Sequence, residues 1–312
     1  MAAVAVVAAL AVNRLVPAFS PAVIAVASGA VLANLLGRRA GWERFRPGLA
    51  FVARRVLRMA IALLGLQIAV PQVLALGWQT LAVVAAATGV TFAVTPAIGR
   101  RLGLSYGTSL LVATGVSICG AAAVAAMRES VDATDDDDAA AALSVVVLYG
   151  SAAIVVVPAL AALIGLSPAQ LGVWTGAAVH EVAQVAAIGA ASGVLAAAVT
   201  VKLARVVLLA PLVTLTSLRA GRTAGGRRPA VMPLFVAVFL AMVAVRSTGW
   251  VPDPVTRAVP QVTNVLMAAA LFGLGTGIDV RKLIKGGRAM LLGAIATGLI
   301  AAVSLAGVVV LL

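Results

Sequence analysis

Charge is scarce in this sequence: Lys, Arg, Asp and Glu make up 11% of 312 residues, whereas 63% are hydrophobic and the mean hydropathy is +1.14. A water-soluble chain of this length carries about a quarter of its residues charged. A cytosolic enzyme, a secreted disulfide scaffold and a disordered tail are therefore excluded, and the chain reads as an all-α membrane protein. One cysteine, Cys119, permits no internal disulfide. With His180 the only histidine, the stretch His180-Glu-Val-Ala-Gln184 lacks the second ligand of an H-E-x-x-H zinc site. Gly115-Val-Ser-Ile-Cys119 likewise misses the G-x-S-x-G elbow, and P-loop and Rossmann patterns are absent. Neither an enzyme nor a cofactor or metal is expected.

What the sequence does contain is apolar runs. Stretches free of Asp, Glu, Lys and Arg, two of them double length, divide at Pro71, Gly77 and Trp78 and at Gly165, Ser167 and Pro168. A spanning helix needs roughly 20 apolar residues, so about 10 to 11 segments are expected. Their centres fall near residues 9, 28, 64, 88, 116, 151, 180, 205, 239, 269 and 300. The first is short, and with no Lys or Arg ahead of it, it is expected to stay attached rather than act as a signal peptide.

The net charge of +13 invites a nucleic-acid partner, but the basic residues sort by loop instead. Loops after even-numbered segments hold 17 of them: Arg38, Arg39, Arg44, Arg46, Arg54, Arg55, Arg58, Arg100, Arg101, Arg219, Arg222, Arg227, Arg228, Arg281, Lys282, Lys285 and Arg288. The other side is assigned Arg14, Arg128, Arg246 and Arg257, with Glu129, Asp132 and the Asp135–Asp138 run. By the positive-inside rule the N-terminus is cytoplasmic. Trp78, Trp174 and Trp250 fall near segment ends, as interfacial aromatics do.

Two internal matches suggest repeats. Ala62–Leu66 resembles Ala270–Leu274 in opposite orientation, and Gly115–Ala126 resembles Gly176–Ala187 in what the segment count makes the same orientation. The pairs cannot both mark one inverted repeat.

Charge inside a spanning helix costs about 2.5–3.5 kcal/mol per residue, so His180, Glu181, Gln184, Lys202 and Arg205 need a reason. One reading makes Lys202 and Arg205 the positive lining of an anion cavity, with Glu181 and His180 accepting a coupling proton or cation. Others are a structural ion pair with Glu181, or snorkelling of the two cations to headgroups. Ser117 and Cys119, between Gly115 and Gly120, form a second candidate, because a helix broken there would present backbone N–H groups to an anion. Close packing through small residues is its bland counterpart. Gly273-Leu-Gly-Thr-Gly277 is a third candidate, read either as a second helix break or as an exit turn. The Asp135–Asp138 run lacks the Gly and Glu of a calcium loop and is expected to cap the next helix.

Several stretches together resemble the YeiH family of bacterial inner-membrane proteins, often labelled sulfate exporters. They are Leu57–Leu66, Ser117-Ile-Cys-Gly-Ala121, His180–Gln184, Val201-Lys-Leu-Ala-Arg-Val206 with Leu209-Ala-Pro211, and Pro233-Leu-Phe. Ala122 stands where that family has Ser. The family is remotely similar to the bile-acid symporter and cation-antiporter group. This resemblance implies inverted repeats, about 18–163 and 168–312, within a single integral membrane transporter domain. It also implies core and panel domains and two broken helices crossing mid-membrane. The expected function is secondary transport of a small anion, sulfate or sulfite, with proton or sodium coupling. The site would comprise Ser117, Cys119, Gly120, His180, Glu181, Gln184, Lys202 and Arg205. A cation/proton antiporter using Glu181 and a non-transporting membrane subunit are the rivals. The expected partners are the anion, the coupling ion, the lipid bilayer of the bacterial plasma membrane and a second copy in a homodimer.

Overall fold

The computed structural model describes residues 6–7, 11–12, 21–36, 44–131, 134–219, 234–276 and 287–312, and among these there is no strand. In chain order the helices are α1 (Pro21–Leu36), α2 (Arg46–Phe51), α3 (Leu57–Leu64), α4 (Val70–Leu74), α5 (Gly77–Arg101), α6 (Tyr106–Ser117), α7 (Ala121–Ser130), α8 (Asp136–Leu163), α9 (Pro168–Ala178), α10 (Val182–Ala191), α11 (Leu195–Val207), α12 (Leu209–Arg219), α13 (Leu234–Ser247), α14 (Asp253–Gly275) and α15 (Gly287–Leu311). Among the described residues five stretches are long and apolar enough to cross a membrane: Gly77–Arg101, Asp136–Leu163, Leu195–Arg219, Asp253–Gly273 and Gly287–Leu311. The protein is thus an all-α, multi-pass membrane protein. Apart from residues 6–7 and 11–12, the expected first segment lies outside the described residues, as do Arg14, Arg38, Arg39, Asp132, Arg222, Arg227, Arg228, Gly277, Arg281, Lys282 and Lys285.

The chain divides into two compact units, one from the described parts of Met1–Ala69 and Met232–Gly286, the other from those of Val70–Val231 and Gly287–Leu312. In the first, a π-helical step, Val52–Val56, joins α2 to α3. Its two matched pentapeptides are close-packing points. Gly65 lies against the Phe239 carbonyl, and a Cβ at Gly273 would stand 2.8 Å from the Leu49 carbonyl oxygen. Helix α14 ends at Gly275, inside the Gly273–Gly277 stretch, as an exit turn there would have it, and Gly277 lies outside the described residues.

In the second unit α5 and α15 run antiparallel, with Gly307 against Val83 at one end and Gly99 against Leu292 at the other. The latter is a basic end, because Arg100 and Arg101 close α5 there and Arg288 opens α15. Helix α8 starts at this end too: Tyr149 Oη donates to the Met290 carbonyl (2.9 Å), and Ser105, just past α5, donates to Asp138 Oδ1 (2.6 Å).

Both discontinuous helices turn back instead of crossing. A Cβ at Gly115 would be 2.7 Å from Val124 Cγ2, although a straight helix separates positions nine apart by about 13 Å. Helix α7 therefore returns alongside α6. Its far end, Ser130, accepts from Ser217 of α12 (3.1 Å), and Arg128 pairs with Asp136 beside the start of α6. The second hairpin, α9 and α10, enters from the opposite end. Trp174 Nε1 donates to Ala301 of α15 (3.0 Å), past the midpoint of that helix, and Gly189 of α10 comes back to Leu195 at the start of α11.

Three expectations change. The segments centred at 116 and 180 are re-entrant hairpins, so Arg128, Glu129 and Asp135–Asp138 lie at the basic end of this unit. The Gly115–Ala126 and Gly176–Ala187 copies, expected to run the same way, are hairpin tips of opposite entry, each followed by a long helix. Trp174 is no interfacial anchor: it is 2% exposed.

Caps explain where the hairpins start. Ser105 accepts from Thr108 N, Ser167 forms a capping box with Gln170, and Asp135 forms one with Asp138. Asp138 is 8% exposed and ties α8 to α6, accepting on Oδ1 from Ser105 and from Thr108 Oγ1 (2.5 Å). Charge-assisted hydrogen bonds are worth about 1.5–3 kcal/mol each. Asp138→Ala should lower the thermal midpoint of the purified protein by about 5–10 °C. A shift within measurement error would show that this tie does not hold the hairpin.

Candidate functional site

The two hairpin tips meet halfway along the long helices of the second unit. Val146 of α8 touches the Gly115 and Gly120 positions, Gln184 of α10 lies against Gly150, and His180 Nε2 is 2.9 Å from Thr297 Oγ1 near the middle of α15. At the first tip the helix ends because Ile118 leaves helical geometry and Gly120 adopts φ +75°, ψ −131°. Only glycine takes that conformation readily, and a Cβ there would also meet Glu181 Cγ at 2.7 Å. At the second tip Val179 and Glu181 are extended (ψ 147° and 149°). Glu181 then starts α10 through a capping box with Gln184, whose Oε1 accepts from Glu181 N at 3.0 Å.

A helix that stops inside an apolar layer leaves carbonyls without partners. Lys202 and Arg205 supply them, brought close because α11 packs tightly on α9: a Cβ at Gly176 would stand 2.5 Å from the Ala198 carbonyl oxygen. Lys202 Nζ donates to Ile118 O and Val179 O, both at 2.7 Å. Arg205 donates from Nε to Ser117 O (2.7 Å), from one terminal nitrogen to Ala177 O (2.8 Å) and Val179 O (2.9 Å), and from the other to Val116 O. Each cation thus binds the carbonyl ends of both hairpins' inbound helices, where the helix dipoles are negative. Both are 0% exposed, which excludes the snorkelling reading.

All eight expected site residues belong to this junction. Lys202 and Arg205 join the tips from behind by their carbonyls. Ser117, Cys119, Gly120, His180, Glu181 and Gln184 form the tips themselves. Thr175, Gly150 and Thr297 were not singled out from sequence. Gly150 alone carried a readable sign, a glycine inside a long apolar helix. Four buried polar atoms within a helical turn of the two breaks have no hydrogen-bond partner: Ser117 Oγ, Thr175 Oγ1, His180 Nδ1 and Gln184 Nε2. Buried polar groups are almost always paired, and these four are among seven such atoms in the described residues, the others being on Thr88, Thr91 and Thr263.

Two re-entrant hairpins of opposite entry, joined tip to tip inside a helical membrane unit, define a multi-pass membrane protein with a polar centre enclosed by apolar helices. More particularly, a family model described as conserved hypothetical protein 698 matches residues 1–294, and the chain belongs to that family. The resemblance to YeiH-type proteins is thereby borne out. A UPF0324 membrane protein of Corynebacterium glutamicum is 38% identical over 314 residues, covering 98% of this chain and 90% of the relative. Another from Bradyrhizobium diazoefficiens is 34% identical, covering 83% and 77%. The UPF0324 membrane protein TauZ of Paracoccus denitrificans is 35% identical, covering 78% and 75%. No solved structure matches the chain.

Proposed function

We propose that this protein is a secondary transporter of a small anion, sulfate or sulfite in the favoured case, working by alternating access at the hairpin tips. The observation that carries the reading is the set of unpartnered donors at a junction whose formal charge is positive. Two cations, Lys202 and Arg205, stand against one carboxylate, Glu181, leaving a formal charge of +1. The half-helix dipoles add about half a positive charge at each returning helix's N-terminus. Contact with the anion falls to neutral groups and backbone N–H, while the cations act from behind.

In this mechanism Glu181 is the coupling group. Protonated, it leaves +2, which balances a divalent oxyanion; ionised, it leaves +1 and loosens the same anion. Proton binding and anion binding thus favour each other. One proton moving with one dianion carries a net negative charge, and the inside-negative potential favours its outward movement by about 2.3 kcal/mol per 100 mV. That direction suits an exporter. The host membrane is the bacterial plasma membrane, with the N-terminus and the end bearing Arg100, Arg101, Arg219 and Arg288 on the cytoplasmic side.

A cation/proton antiporter is the second reading, favoured by the placement of a buried carboxylate, Glu181, against Gly120 at the junction. Proteoliposomes with an enclosed pH dye separate the two. Under the anion reading, Glu181→Gln keeps sulfate binding but abolishes its dependence on an imposed pH gradient. Sodium-driven proton movement without sulfur anions, lost in Glu181→Gln, would establish the antiporter instead.

A further inference from the structure

The partners already taken at the tips narrow the kind of anion that fits. The amide of Gln184 has its orientation fixed, because Oε1 accepts the Glu181 N–H at 3.0 Å; its Nε2, without a partner, can only donate. The Ser117 and Thr175 hydroxyls can each donate as well, and each is fully buried with no partner. A hydroxyl can also accept, but its own proton then needs another acceptor. Acceptors at the tips are taken up: the carbonyls of residues 116, 117, 118, 177 and 179 by Lys202 and Arg205, and the carbonyl oxygen of Glu181, protonated in the anion-bound state of the mechanism above, by the capping box of α10. The junction therefore offers more donors than acceptors.

Building on the anion reading above, we propose that the tips select oxyanions by protonation state. They admit anions whose oxygens carry no proton, sulfate, selenate and alkylsulfonates, and refuse hydrogen phosphate, arsenate and bicarbonate. The size and shape of sulfate and hydrogen phosphate are nearly alike, so neither packing nor charge distinguishes them. The phosphate O–H does, since it would face donors with no acceptor. Leaving one such group unpaired in a buried site weakens binding about 10- to 100-fold. Gln184, Thr175 and Ser117 are on this argument the specificity-determining side chains, and Lys202 and Arg205 are positioning residues that consume the competing acceptors.

The test uses purified protein in nanodiscs, titrated near neutral pH with sulfate, selenate, methanesulfonate, phosphate and arsenate, with thermal stabilisation and calorimetry as readouts. Sulfate and selenate should bind at least about 10-fold more tightly than phosphate and arsenate. Thr175→Val, which keeps shape and removes one donor, should weaken sulfate several-fold without admitting phosphate. Gln184→Glu, which places an acceptor among the donors, should bring the sulfate to phosphate ratio close to one. Should that variant not fold, the wild-type ratio and Thr175→Val still decide. Phosphate binding as tightly as sulfate would overturn the selectivity and leave the anion reading standing. Failure of every anion to bind would overturn both.

Discussion

Replacing Arg205 with Met should remove at least about 4 kcal/mol of stability, a large share of the roughly 5–15 kcal/mol that a folded domain has. The guanidinium accounts for four tip contacts, to the carbonyls of Val116, Ser117, Ala177 and Val179, and none of these oxygens has water to turn to. Methionine fills a similar volume, so the loss isolates hydrogen bonding from packing. Arg205→Lys should recover less than half, since one ammonium cannot reproduce a planar fork reaching two hairpins. Thermal unfolding followed by size-exclusion chromatography checks this. A variant that folds like wild type and only loses anion binding would mean that Arg205 is a ligand and not a clamp.

Lys202 should divide differently between fold and function. Lys202→Met leaves the Ile118 and Val179 carbonyls short of one donor, a cost of about 2–4 kcal/mol. It also lowers the formal charge of the junction from +1 to zero. A unit charge about 6 Å from a bound anion, at an effective dielectric of about 20, is worth about 3 kcal/mol, or more than 100-fold in affinity. Lys202→Arg keeps the charge and should keep most of the affinity. Sulfate-dependent thermal stabilisation, present in wild type and Lys202→Arg and lost in Lys202→Met, is the expected pattern. Equal stabilisation in all three would place the anion elsewhere.

The helices themselves were legible because an apolar run without charges has few other fates in a membrane, and α5, α8, α11 with α12, and α15 lie where the runs put them. The residues of the candidate site were legible for the same reason in reverse: His180, Glu181, Gln184, Lys202 and Arg205 are costly in oil. The hairpins were not, because the run from 102 to 127 is long enough to cross and periodicity does not distinguish crossing from returning. What decides it is tertiary, Ser105 and Thr108 reaching Asp138 and Gly115 backing onto Val124. Sequence could not say where the two cations' donors go. Their presence argues for an anion; the geometry directs their donors to backbone carbonyls, and the proposed reading then gives contact with the anion to neutral groups such as Thr175, which no sequence argument separates from the other threonines.

The most direct test is flux. Purified protein in liposomes, given radiolabelled sulfate and sulfite with pH and sodium gradients imposed separately, should move at least one of these anions in a protein-dependent way that responds to one gradient. Absence of such movement for both anions under every gradient would contradict the proposal that the hairpin tips carry an anion across the membrane.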